Sequence, residues 1–594
     1  MLNNFEKFLL EVEKPARYTG GEYNTPDMTK PCNVRFCLCF TDIYEVGMSN
    51  IGIAILYDII NKSENFICER CFAPWTDMGD ILRRENIPLM SIETKKPLKD
   101  FDVVGFSVPY EMSFTNVLYM LDLAKIPFRA KDRDDSFPII VGGGPVSANP
   151  EPIIDFFDAF FIGEGEETDI EFLKIVEKYK GDKKKILEEA SKIEGIYVPS
   201  MCLFDGERTI TTVKKAIVKD LNKAPFPTKP LVPNIEIVHD RSVIELYRGC
   251  YAGCRFCQAC FFYRPVRYRE ADTVVALASQ IIKNTGFDEL GLSSLSSGDY
   301  QDIFKVISDL KKVTEEESVV LQLPSLRLDS FSANLMSSAK RSSLTFAPEA
   351  GTQRLRNVIN KNITESDIEE SMKLAFEIGY RTVKLYFMLG LPTETDEDVL
   401  AIADVVRKIK EIYKNVTGRR DININVSTAM FIPKPLTPFQ WAEQISSEEM
   451  YRKQNLLKKE LFPIKGVHYS WHGAEISVLE GIFARGDRKL SYLVEEAYKN
   501  GCYFDSWTEK FDRIKWFELI EKCGIDVIKY TGSKDVNETL PWDFIDFGVS
   551  KKYLIKEYEK ALKEETTNPC KDGCNGCGAN KNAPCRQFEG SNLC

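Results

Sequence analysis

The stretch VIELYRGCYAGCRFCQAC, residues 243–260, decides how the rest of the chain is interpreted. Its first six residues have the apolar, β-branched composition of a strand. Three cysteines follow at the spacing C-x3-C-x2-C, namely Cys250, Cys254 and Cys257. Three thiolates on one short loop can bind three irons of a [4Fe–4S] cluster and leave the fourth iron open. The alternative is a structural zinc site, which would need Cys260 as its fourth ligand.

Strands and helices alternate on both sides of this loop. From about residue 33 to 200, β-rich runs alternate with amphipathic segments, which predicts a doubly wound, Rossmann-like α/β domain. Six further strand–helix units between residues 243 and 431 predict a partial (β/α)6 TIM barrel, with the cysteine loop at its C-terminal mouth. After residue 441 the pattern becomes helical, and the tail is rich in cysteine. We place the boundaries at 1–220 for the doubly wound domain, 221–240 for a linker, 241–445 for the barrel and 446–594 for the helical region with its cysteine tail.

The composition of the 594 residues is that of a folded, globular protein. With 44% hydrophobic and 28% charged residues the chain can bury large cores, which excludes wholesale disorder. No uncharged apolar run approaches the roughly 18 residues of a membrane span, and the charged N-terminus does not resemble a signal peptide. We therefore expect a cytoplasmic protein without a membrane partner. The net charge of −11 gives no electrostatic indication of general nucleic-acid binding.

Seventeen cysteines in a chain without a recognisable secretory signal indicate metal or redox chemistry rather than disulfide staples. Near the C-terminus, Cys570, Cys574 and Cys577 repeat the spacing C-x3-C-x2-C, and Cys585 and Cys594 lie beyond them. This tail can hold a second iron–sulfur cluster or a tetrathiolate zinc ion, and the sequence leaves both open. The remaining cysteines lie in apolar or mixed segments and are expected to be structural: Cys32, Cys37, Cys39, Cys68, Cys71, Cys202, Cys502 and Cys523.

The cysteine loop, with Phe256 before its last cysteine, resembles that of the radical S-adenosylmethionine superfamily. The resemblance implies that the open iron chelates the amino and carboxylate groups of S-adenosylmethionine, and that the cluster reduces this molecule to give a 5′-deoxyadenosyl radical. It also implies cofactor contacts at later strand ends: Ser297, Gly298 and Asp299 for the amino group, Glu349 and Arg354 for the ribose and carboxylate, and Gly390 for the adenine. The turn after the second strand is Ser-Ser-Gly-Asp here, where the superfamily has a Gly-Gly-Glu-like turn. Glu349 has a second interpretation as a helix cap.

The N-terminal domain resembles cobalamin-binding domains, and the domain order resembles the cobalamin-domain-fused subgroup of that superfamily. Such domains carry Asp-x-His-x-x-Gly, Ser-x-Leu and Gly-Gly at strand ends. The corresponding residues here are Asp42, Tyr44, Gly47, Ser107, Gly142 and Gly143. Tyr44 stands at the histidine position, so a bound cobalamin would lack a histidine below its cobalt. The alternative is a degenerate domain that keeps the sheet and binds no cofactor.

The resemblance implies a radical S-adenosylmethionine enzyme, with or without cobalamin, that modifies a substrate by methyl transfer or another radical step. Turns at residues 389–395 and 433–439 also resemble those of tRNA methylthiotransferases, which gives one alternative; a non-catalytic iron–sulfur or cobalamin carrier is another. The implied partners are an electron donor of the flavodoxin or ferredoxin type and a substrate, for which RNA or protein is slightly preferred over a small metabolite.

Two smaller groups of residues complete the candidates. Arg264, Arg267 and Arg269 follow the cysteine loop and either contact phosphate, carboxylate or S-adenosylmethionine or form a solvated ion-pair face. His468 and His472 are four residues apart, a spacing that can bind metal on a helix, although the neighbouring aromatic residues favour an ordinary packed segment.

Overall fold

The structure is a computed structural model that describes residues 5–206, 208–322 and 343–585. Its N-terminal domain is built on the strands β1 (Val34–Phe40), β2 (Phe66–Phe72), β3 (Val103–Ser107), β4 (Ile139–Gly143), β5 (Ala159–Phe161) and β6 (Ile196–Tyr197). The order in the sheet is β2–β1–β3–β4–β5–β6, and only β6 is antiparallel to its neighbour. The first five strands therefore have the order 2-1-3-4-5 of a common doubly wound fold, which confirms the predicted class.

The helices of this domain are α1 (Tyr44–Gly47), α2 (Ile51–Lys62), α3 (Thr76–Arg84), α4 (Phe114–Leu123), α5 (Gly165–Lys178) and α6 (Lys183–Ala190). The α2 helix begins where the Asn50 side chain accepts a hydrogen bond from the Ile53 amide. The α5 helix has Glu166 and Glu167 in its first turn, where the helix dipole favours acidic side chains. Both helix starts lie at the carboxyl end of the sheet, on the side of the barrel.

Short strands connect the domain to the rest of the chain. The strand β7 (Phe204–Asp205) pairs with β8 (Arg208–Thr209), and β9 (Val213–Lys214) pairs with a strand near the C-terminus. The expected linker, residues 221–240, buries Leu221 and Phe226 against its neighbours, so it packs as part of the fold.

The described residues of the second domain contain seven parallel strands in two sheets. One sheet contains β10 (Ser242–Glu245), β13 (Glu289–Ser293) and β14 (Val320–Gln322); the other contains β15 (Leu344–Glu349), β16 (Thr382–Leu389), β17 (Asn423–Met430) and β18 (Val467–Trp471). The strands β11 (Tyr247–Arg248) and β12 (Arg267–Tyr268) pair antiparallel on either side of the cysteine loop. The described strands form no closed barrel, and residues 323–342, which connect β14 to β15, lie outside the described ranges. An open, partial barrel is therefore confirmed, with one strand more than the six predicted.

The helices of this domain are α7 (Gln258–Phe262), α8 (Ala271–Thr285), α9 (Ile303–Glu316), α10 (Gln353–Val358), α11 (Glu365–Ile378), α12 (Asp396–Thr417) and α13 (Ser447–Leu461). The long α12 begins with a capping box between Thr395 and Asp398 and ends at Gly418, whose φ of 71° only glycine adopts easily. The strand β18 lies in a segment that was predicted to be helical. Because His468 is on this strand and His472 lies just beyond it, the two histidines do not share a helix face.

The C-terminal region is helical, as predicted, and joins the other two parts. It contains α14 (Ala474–Ala484), α15 (Leu490–Lys499), α16 (Arg513–Lys522), α17 (Val527–Thr531), α18 (Lys551–Leu562) and the strand β19 (Ile545–Asp546), which pairs with β9. The ring of Phe504 packs 4.9 Å from that of Trp75, and Phe483 packs 5.4 Å from Phe114. The largest apolar cluster consequently contains residues of all three parts, and three smaller clusters lie beside it. Within the described residues, no helix has both the length and the apolar character needed to cross a bilayer.

Candidate functional site

The cysteine loop lies between β11 and α7, at the carboxyl end of β10. Cys254 is buried, Cys250 and Cys257 are half-buried, and Cys257 directly precedes α7. Gly249 and Gly253 have φ angles of 90° and 79°, which let the chain turn tightly on both sides of Cys250. The three thiols therefore lie on one loop at the ends of the barrel strands.

Backbone N–H groups in this loop point at sulfur. The Ala252 amide lies 3.5 Å from Cys250 Sγ, and the Gly253 amide lies 3.1 Å from Cys260 Sγ. Contacts of this kind stabilise thiolate sulfur and are found around iron–sulfur clusters. Among the described residues, no three His, Cys, Asp or Glu side chains are arranged to hold a metal ion. The three thiols would therefore have to move to their ligand positions when a cluster binds. In donor type, spacing and N–H surroundings they fit three irons of a [4Fe–4S] cluster.

The turn after β13 forms a hydrogen-bonded unit around Asp299. Ser296 Oγ donates a hydrogen bond to Asp299 Oδ2 at 2.7 Å, and Ser297 and Gly298 lie between these two residues with Ser297 fully buried. Lys571 of the C-terminal tail pairs with Asp299 Oδ1 at 2.7 Å. Asp299, which the sequence predicts to contact the amino group of S-adenosylmethionine, is thus already paired with the Lys571 ammonium group.

Glu349 and Arg354 lie near each other in sequence but have separate partners. Glu349, at the end of β15, has a φ of 69° and accepts a hydrogen bond from Lys361 Nζ at 3.1 Å. Arg354, in α10, pairs with Asp398 at the start of α12. The N-cap of α10 is Thr352, whose side chain accepts from a backbone amide, so the interpretation of Glu349 as a helix cap is wrong.

Gly390 follows β16 with a φ of 84°, a conformation that a glycine adopts without strain. Its amide donates a hydrogen bond to Glu394 Oε1 at 2.8 Å, and Glu394 pairs with the buried Lys453 at 3.0 Å. Phe256 packs in the same apolar cluster as Met388 at the end of β16. The cysteine loop therefore meets the turn that contains Gly390.

A cavity of about 460 Å³ lies between the carboxyl end of the N-terminal sheet and the ends of β10, β11 and β13. The N-terminal domain supplies one wall and the barrel the other. Their main lining residues are Phe36, Leu38, Ser107, Gly142, Gly143, Phe161 and Asp169 from the first domain, and Tyr247, Arg248, Gly249, Ser294 and Leu295 from the barrel. Ligands of doubly wound proteins bind in this crevice, outside the carboxyl ends of the strands.

Charged side chains lie where the two walls meet. Arg248 pairs with Glu166 Oε1 at 2.5 Å and with Glu245 Oε1 at 2.8 Å, and Arg267 pairs with Glu164 Oε2 at 2.6 Å. Burial alone would raise the pKa of Glu164, but Arg267 and Arg248 hold it below its ordinary value. The pairs with Glu164 and Glu166 connect the first domain to the barrel and so fix the width of the cavity.

Asp169 of α5 is a buried carboxyl group in the lining of the same cavity. Burial, with repulsion from Glu166, raises the pKa of Asp169 to about 8. At neutral pH this carboxyl group is therefore mainly protonated, and it can donate a hydrogen bond to a ligand.

Three of the six residues predicted to contact cobalamin line the cavity: Ser107, Gly142 and Gly143. A Cβ atom at Gly142 would lie 2.6 Å from the Phe160 ring, so this glycine is needed for packing. A Cβ atom at Gly143 would lie no closer than 3.7 Å to its nearest neighbour, in Phe161. Gly143 therefore lines the cavity at a position where a Cβ atom would make only ordinary van der Waals contact.

The other three residues, Asp42, Tyr44 and Gly47, are not among the cavity's lining. The Tyr44 hydroxyl donates to Glu22 Oε1 at 3.1 Å, and Asp42 Oδ1 accepts from Trp507 Nε1 at 3.1 Å. A Cβ atom at Gly47 would lie 2.4 Å from an aromatic ring of β2. These side chains hold the first domain together and attach it to the C-terminal region.

The three arginines after the cysteine loop are buried rather than solvated. Arg269 Nη2 lies 3.4 Å from Glu245 Oε2, and Arg267 pairs with Glu164 as described above. Both expectations for Arg267 and Arg269, ligand contact and a solvated face, are therefore wrong, because neighbouring chain segments enclose both guanidinium groups. Arg264 lies beside Cys260 and faces the C-terminal tail.

The tail packs against the cysteine loop of the barrel. The Cys570 amide donates a hydrogen bond to the Tyr251 carbonyl at 2.8 Å. A small cavity of about 30 Å³ is lined by groups from both segments, among them Cys250, Arg264, Cys570, Cys574, Cys577 and Cys585. Cys574 takes part in a disulfide bond, so it can bind a metal only after reduction. Cys594 lies outside the described residues.

Sequence reasoning missed Arg248, Glu166 and Asp169 as site residues. Arg248 stands two residues before the first cysteine, and Glu166 lies in the first turn of α5. Arg248 and Glu166 become site residues only because the two domains pack together, and no local sequence spacing indicates that packing.

Comparisons with known proteins match both domains. Residues 52–199 match the family model described as "Radical SAM proteins, N-terminal", and residues 244–406 match the model described as "Radical SAM superfamily". The chain is 32% identical over 458 residues to the uncharacterized protein MJ0966 of Methanocaldococcus jannaschii, a match that covers 73% of this chain and 91% of that relative.

Two solved structures are similar at low identity. The radical S-adenosylmethionine methyltransferase TsrM from Kitasatospora setae, bound to tryptophan and an analogue of S-adenosylmethionine, is 14% identical with a TM-score of 0.49, over 68% of this chain and 75% of that one. The cobalamin-dependent S-adenosylmethionine radical enzyme OxsB, with aqua-cobalamin bound, is 12% identical with a TM-score of 0.47, over 89% of this chain and 80% of that one.

Proposed function

The chain belongs to the radical S-adenosylmethionine superfamily, and we propose that it uses the radical made from S-adenosylmethionine on a substrate held beside a cobalamin, in the cavity between its N-terminal domain and its barrel. Membership implies a [4Fe–4S] cluster and S-adenosylmethionine, and it makes the chain an enzyme of radical chemistry. The non-catalytic carrier is therefore discarded.

In this proposal Cys250, Cys254 and Cys257 bind three irons, and the fourth iron is left for S-adenosylmethionine. When bound, the cluster supplies the single electron that cleaves S-adenosylmethionine to methionine and a 5′-deoxyadenosyl radical. Asp299 offers a carboxylate to the amino group, and Gly390 lies in the turn after β16 to which the resemblance assigns the adenine. An external donor of the flavodoxin or ferredoxin type provides the electron.

The observation that carries the cobalamin proposal is the position of the 460 Å³ cavity. It lies at the strand ends of a doubly wound domain and reaches Gly249, directly before the first cysteine. Its apolar floor suits a corrin ring, Gly143 leaves space, and the protonated Asp169 can donate to an amide oxygen of the corrin. No histidine is found in the described lining, so cobalt would have no protein imidazole below it. When bound, cobalamin supplies a carrier for methyl groups.

The first test measures reductive cleavage of S-adenosylmethionine by the anaerobically reconstituted full chain with a chemical reductant. We expect 5′-deoxyadenosine from the wild type and none from the variant Cys250→Ala/Cys254→Ala/Cys257→Ala. The matched control is Cys32→Ala/Cys202→Ala/Cys523→Ala, which also removes three half-buried free thiols and should keep its activity. Equal amounts of 5′-deoxyadenosine from both triple variants would contradict the assignment.

The second test measures binding of hydroxocobalamin by equilibrium dialysis and visible spectroscopy. A Cβ atom at Gly143 meets no close contact, and Gly143→Val adds apolar bulk to the cavity lining, so binding should fall at least tenfold while reductive cleavage of S-adenosylmethionine remains. Gly473→Val is the control, because this glycine is also uncrowded but lies outside the cavity. Absence of cobalamin binding by the wild type would leave the degenerate-domain alternative.

For the substrate we keep RNA or protein ahead of a small metabolite. The burial of Arg267 and Arg269 removes one reason to expect a phosphate contact, so the test covers every class. A deletion strain and wild type are compared by mass spectrometry of digested tRNA, rRNA, ribosomal proteins and metabolites. A difference confined to metabolites contradicts the preference, and loss of a sulfur-plus-methyl increment from tRNA favours the methylthiotransferase alternative.

A further inference from the structure

A buried cation lies between two groups of cysteines. Arg264 is only 3% exposed, its Nη1 atom has no hydrogen-bond partner among the described residues, and its Nη2 atom lies 4.0 Å from Cys260 Sγ. In the described part of the chain, the titratable groups that act most strongly on this guanidinium are Cys570, Cys260, Tyr553 and Cys577, and none of them is a carboxylate. The guanidinium also lies over the Phe261 and Tyr553 rings, 4.8 and 5.7 Å from their centroids. These rings carry no net charge, and burying a charge without an opposite charge is costly, so an anion is expected beside Arg264.

The C-terminal tail is held in place next to this cation. Besides the Cys570–Tyr251 hydrogen bond, Lys571 pairs with Asp299 at 2.7 Å, and Asn362 Nδ2 donates to the Thr567 carbonyl at 3.0 Å. These contacts reach the cysteine loop, the β13 turn and the segment before α11. The tail is therefore part of the barrel mouth.

The sulfur atoms of the tail have surroundings similar to those of the barrel loop. The Gly576 amide lies 3.3 Å from Cys574 Sγ, and Asn575 Nδ2 lies 3.6 Å from Cys570 Sγ. Gly576 and Gly578 have φ angles of 67° and 96°, which allow a tight turn around bound metal. The spacing C-x3-C-x2-C is also the same as in the barrel.

We propose that Cys570, Cys574, Cys577 and Cys585 bind a second [4Fe–4S] cluster beside the first, and that Arg264 balances the negative charge of both clusters. A cluster with four thiolate ligands is an anion, so it would supply negative charge beside Arg264. Cys574 becomes available when a dithiol reductant supplies two electrons and two protons to its disulfide, giving two free thiols. The inference rests on the proposed function only for the identity of the first cluster.

The metal test compares iron and zinc content after anaerobic purification and reconstitution of the full chain. Two clusters correspond to about eight irons per chain in the wild type. We expect about four in Cys570→Ala/Cys577→Ala and about eight in the control Cys202→Ala/Cys523→Ala. Four irons with one zinc in the wild type, or unchanged iron in the tail variant, would overturn the second cluster.

The Arg264 test measures the reduction potentials of both clusters by a redox titration followed with paramagnetic resonance. Arg264→Gln removes a positive charge that favours the more negative, reduced clusters, so both potentials should become more negative. Arg264→Lys keeps the charge and should remain near the wild type. If the glutamine variant is less stable but both potentials are unchanged, Arg264 has only a structural role and the charge-balance part is overturned.

The same samples separate this inference from the proposed function. Cleavage of S-adenosylmethionine with a chemical reductant needs only the barrel cluster, so the tail variant should retain it. A wild type that binds four irons and cleaves S-adenosylmethionine overturns the inference and leaves the proposed function intact. A wild type that binds eight irons without cleavage supports the inference and contradicts the function.

Discussion

Asp169 carries the clearest pH dependence of the candidate site. Its pKa rises from 3.8 to about 8 because the carboxyl is buried and faces Glu166. Between these two values the folded chain holds a proton that the unfolded chain has lost, so this residue's contribution to stability falls as pH rises from about 4 to 8. The variant Asp169→Asn removes that dependence. Its thermal midpoint should exceed the wild type's by several degrees at pH 8, and by less at pH 5, in line with a difference of a few kcal/mol.

The control for this prediction is Asp80→Asn, which changes an exposed aspartate of α3. Its thermal midpoint should follow that of the wild type at both pH values. A gap between Asp169→Asn and wild type that does not widen with pH would show that Asp169 is ionised in the folded chain.

At the scale of single residues, the sequence predicts the chemistry of a site when its functional residues lie close together in the chain. Cys250, Cys254 and Cys257 were identified in this way, because the spacing alone puts three thiols on one loop. The role of Asp169 could not be predicted, since its pKa depends on how deeply the folded chain buries its carboxyl group, which no local spacing indicates. The same reason applies to Arg267, which was expected either at a ligand or on a solvated face and is instead buried in an ion pair with Glu164.

At the scale of elements, Lys571 connects the C-terminal tail to the predicted S-adenosylmethionine site. If Asp299 binds the amino group of S-adenosylmethionine, the two ammonium groups compete for one carboxylate. Lys571→Met should then lower the KM for S-adenosylmethionine up to roughly fivefold, which corresponds to about 1 kcal/mol for a partly exposed pair. Steady-state kinetics with a chemical reductant measure this change.

Lys581→Met, at an exposed position of the same tail, is the control and should leave the KM unchanged. A KM that rises or stays constant in Lys571→Met would mean that Asp299 does not receive the amino group. In that case the pair with Asp299 only anchors the tail.

The elements themselves were predicted unevenly. Long strands and helices such as β16 and α12 have clear periodicity, and both lie where the sequence indicates. The strand β18 was missed, although VHYSW alternates apolar and polar residues, because it is short and lies among helical segments. The tail has no periodicity at all, so only the structure reveals that it packs on the cysteine loop.

At the scale of the whole molecule, the order of domains followed from the sequence, but the way they meet did not. The cavity needs one wall from each domain, and its width depends on ion pairs whose members lie about 80 residues apart or more, such as Arg248 and Glu166. The C-terminal region adds a third constraint, because Trp507 reaches the Asp42 carboxylate of the first domain at 3.1 Å. The affinity for a ligand in the cavity would therefore depend on how the N-terminal domain, the barrel and the C-terminal region pack together.

The variant Arg248→Met tests whether the ion pairs between the domains affect ligand binding in the cavity. The variant leaves Glu166 without its 2.5 Å partner in a buried position, and breaking a buried pair in this way costs about 3–5 kcal/mol. We expect cobalamin affinity to fall at least tenfold and limited proteolysis to cut the 221–240 segment faster than in the wild type. Arg452→Met is the control, since Arg452 pairs with Asp396 at 2.6 Å on an exposed surface, where such a pair contributes about 0–1 kcal/mol. Should both variants bind cobalamin equally well and resist proteolysis equally, the ion pairs between the domains do not set the width of the cavity.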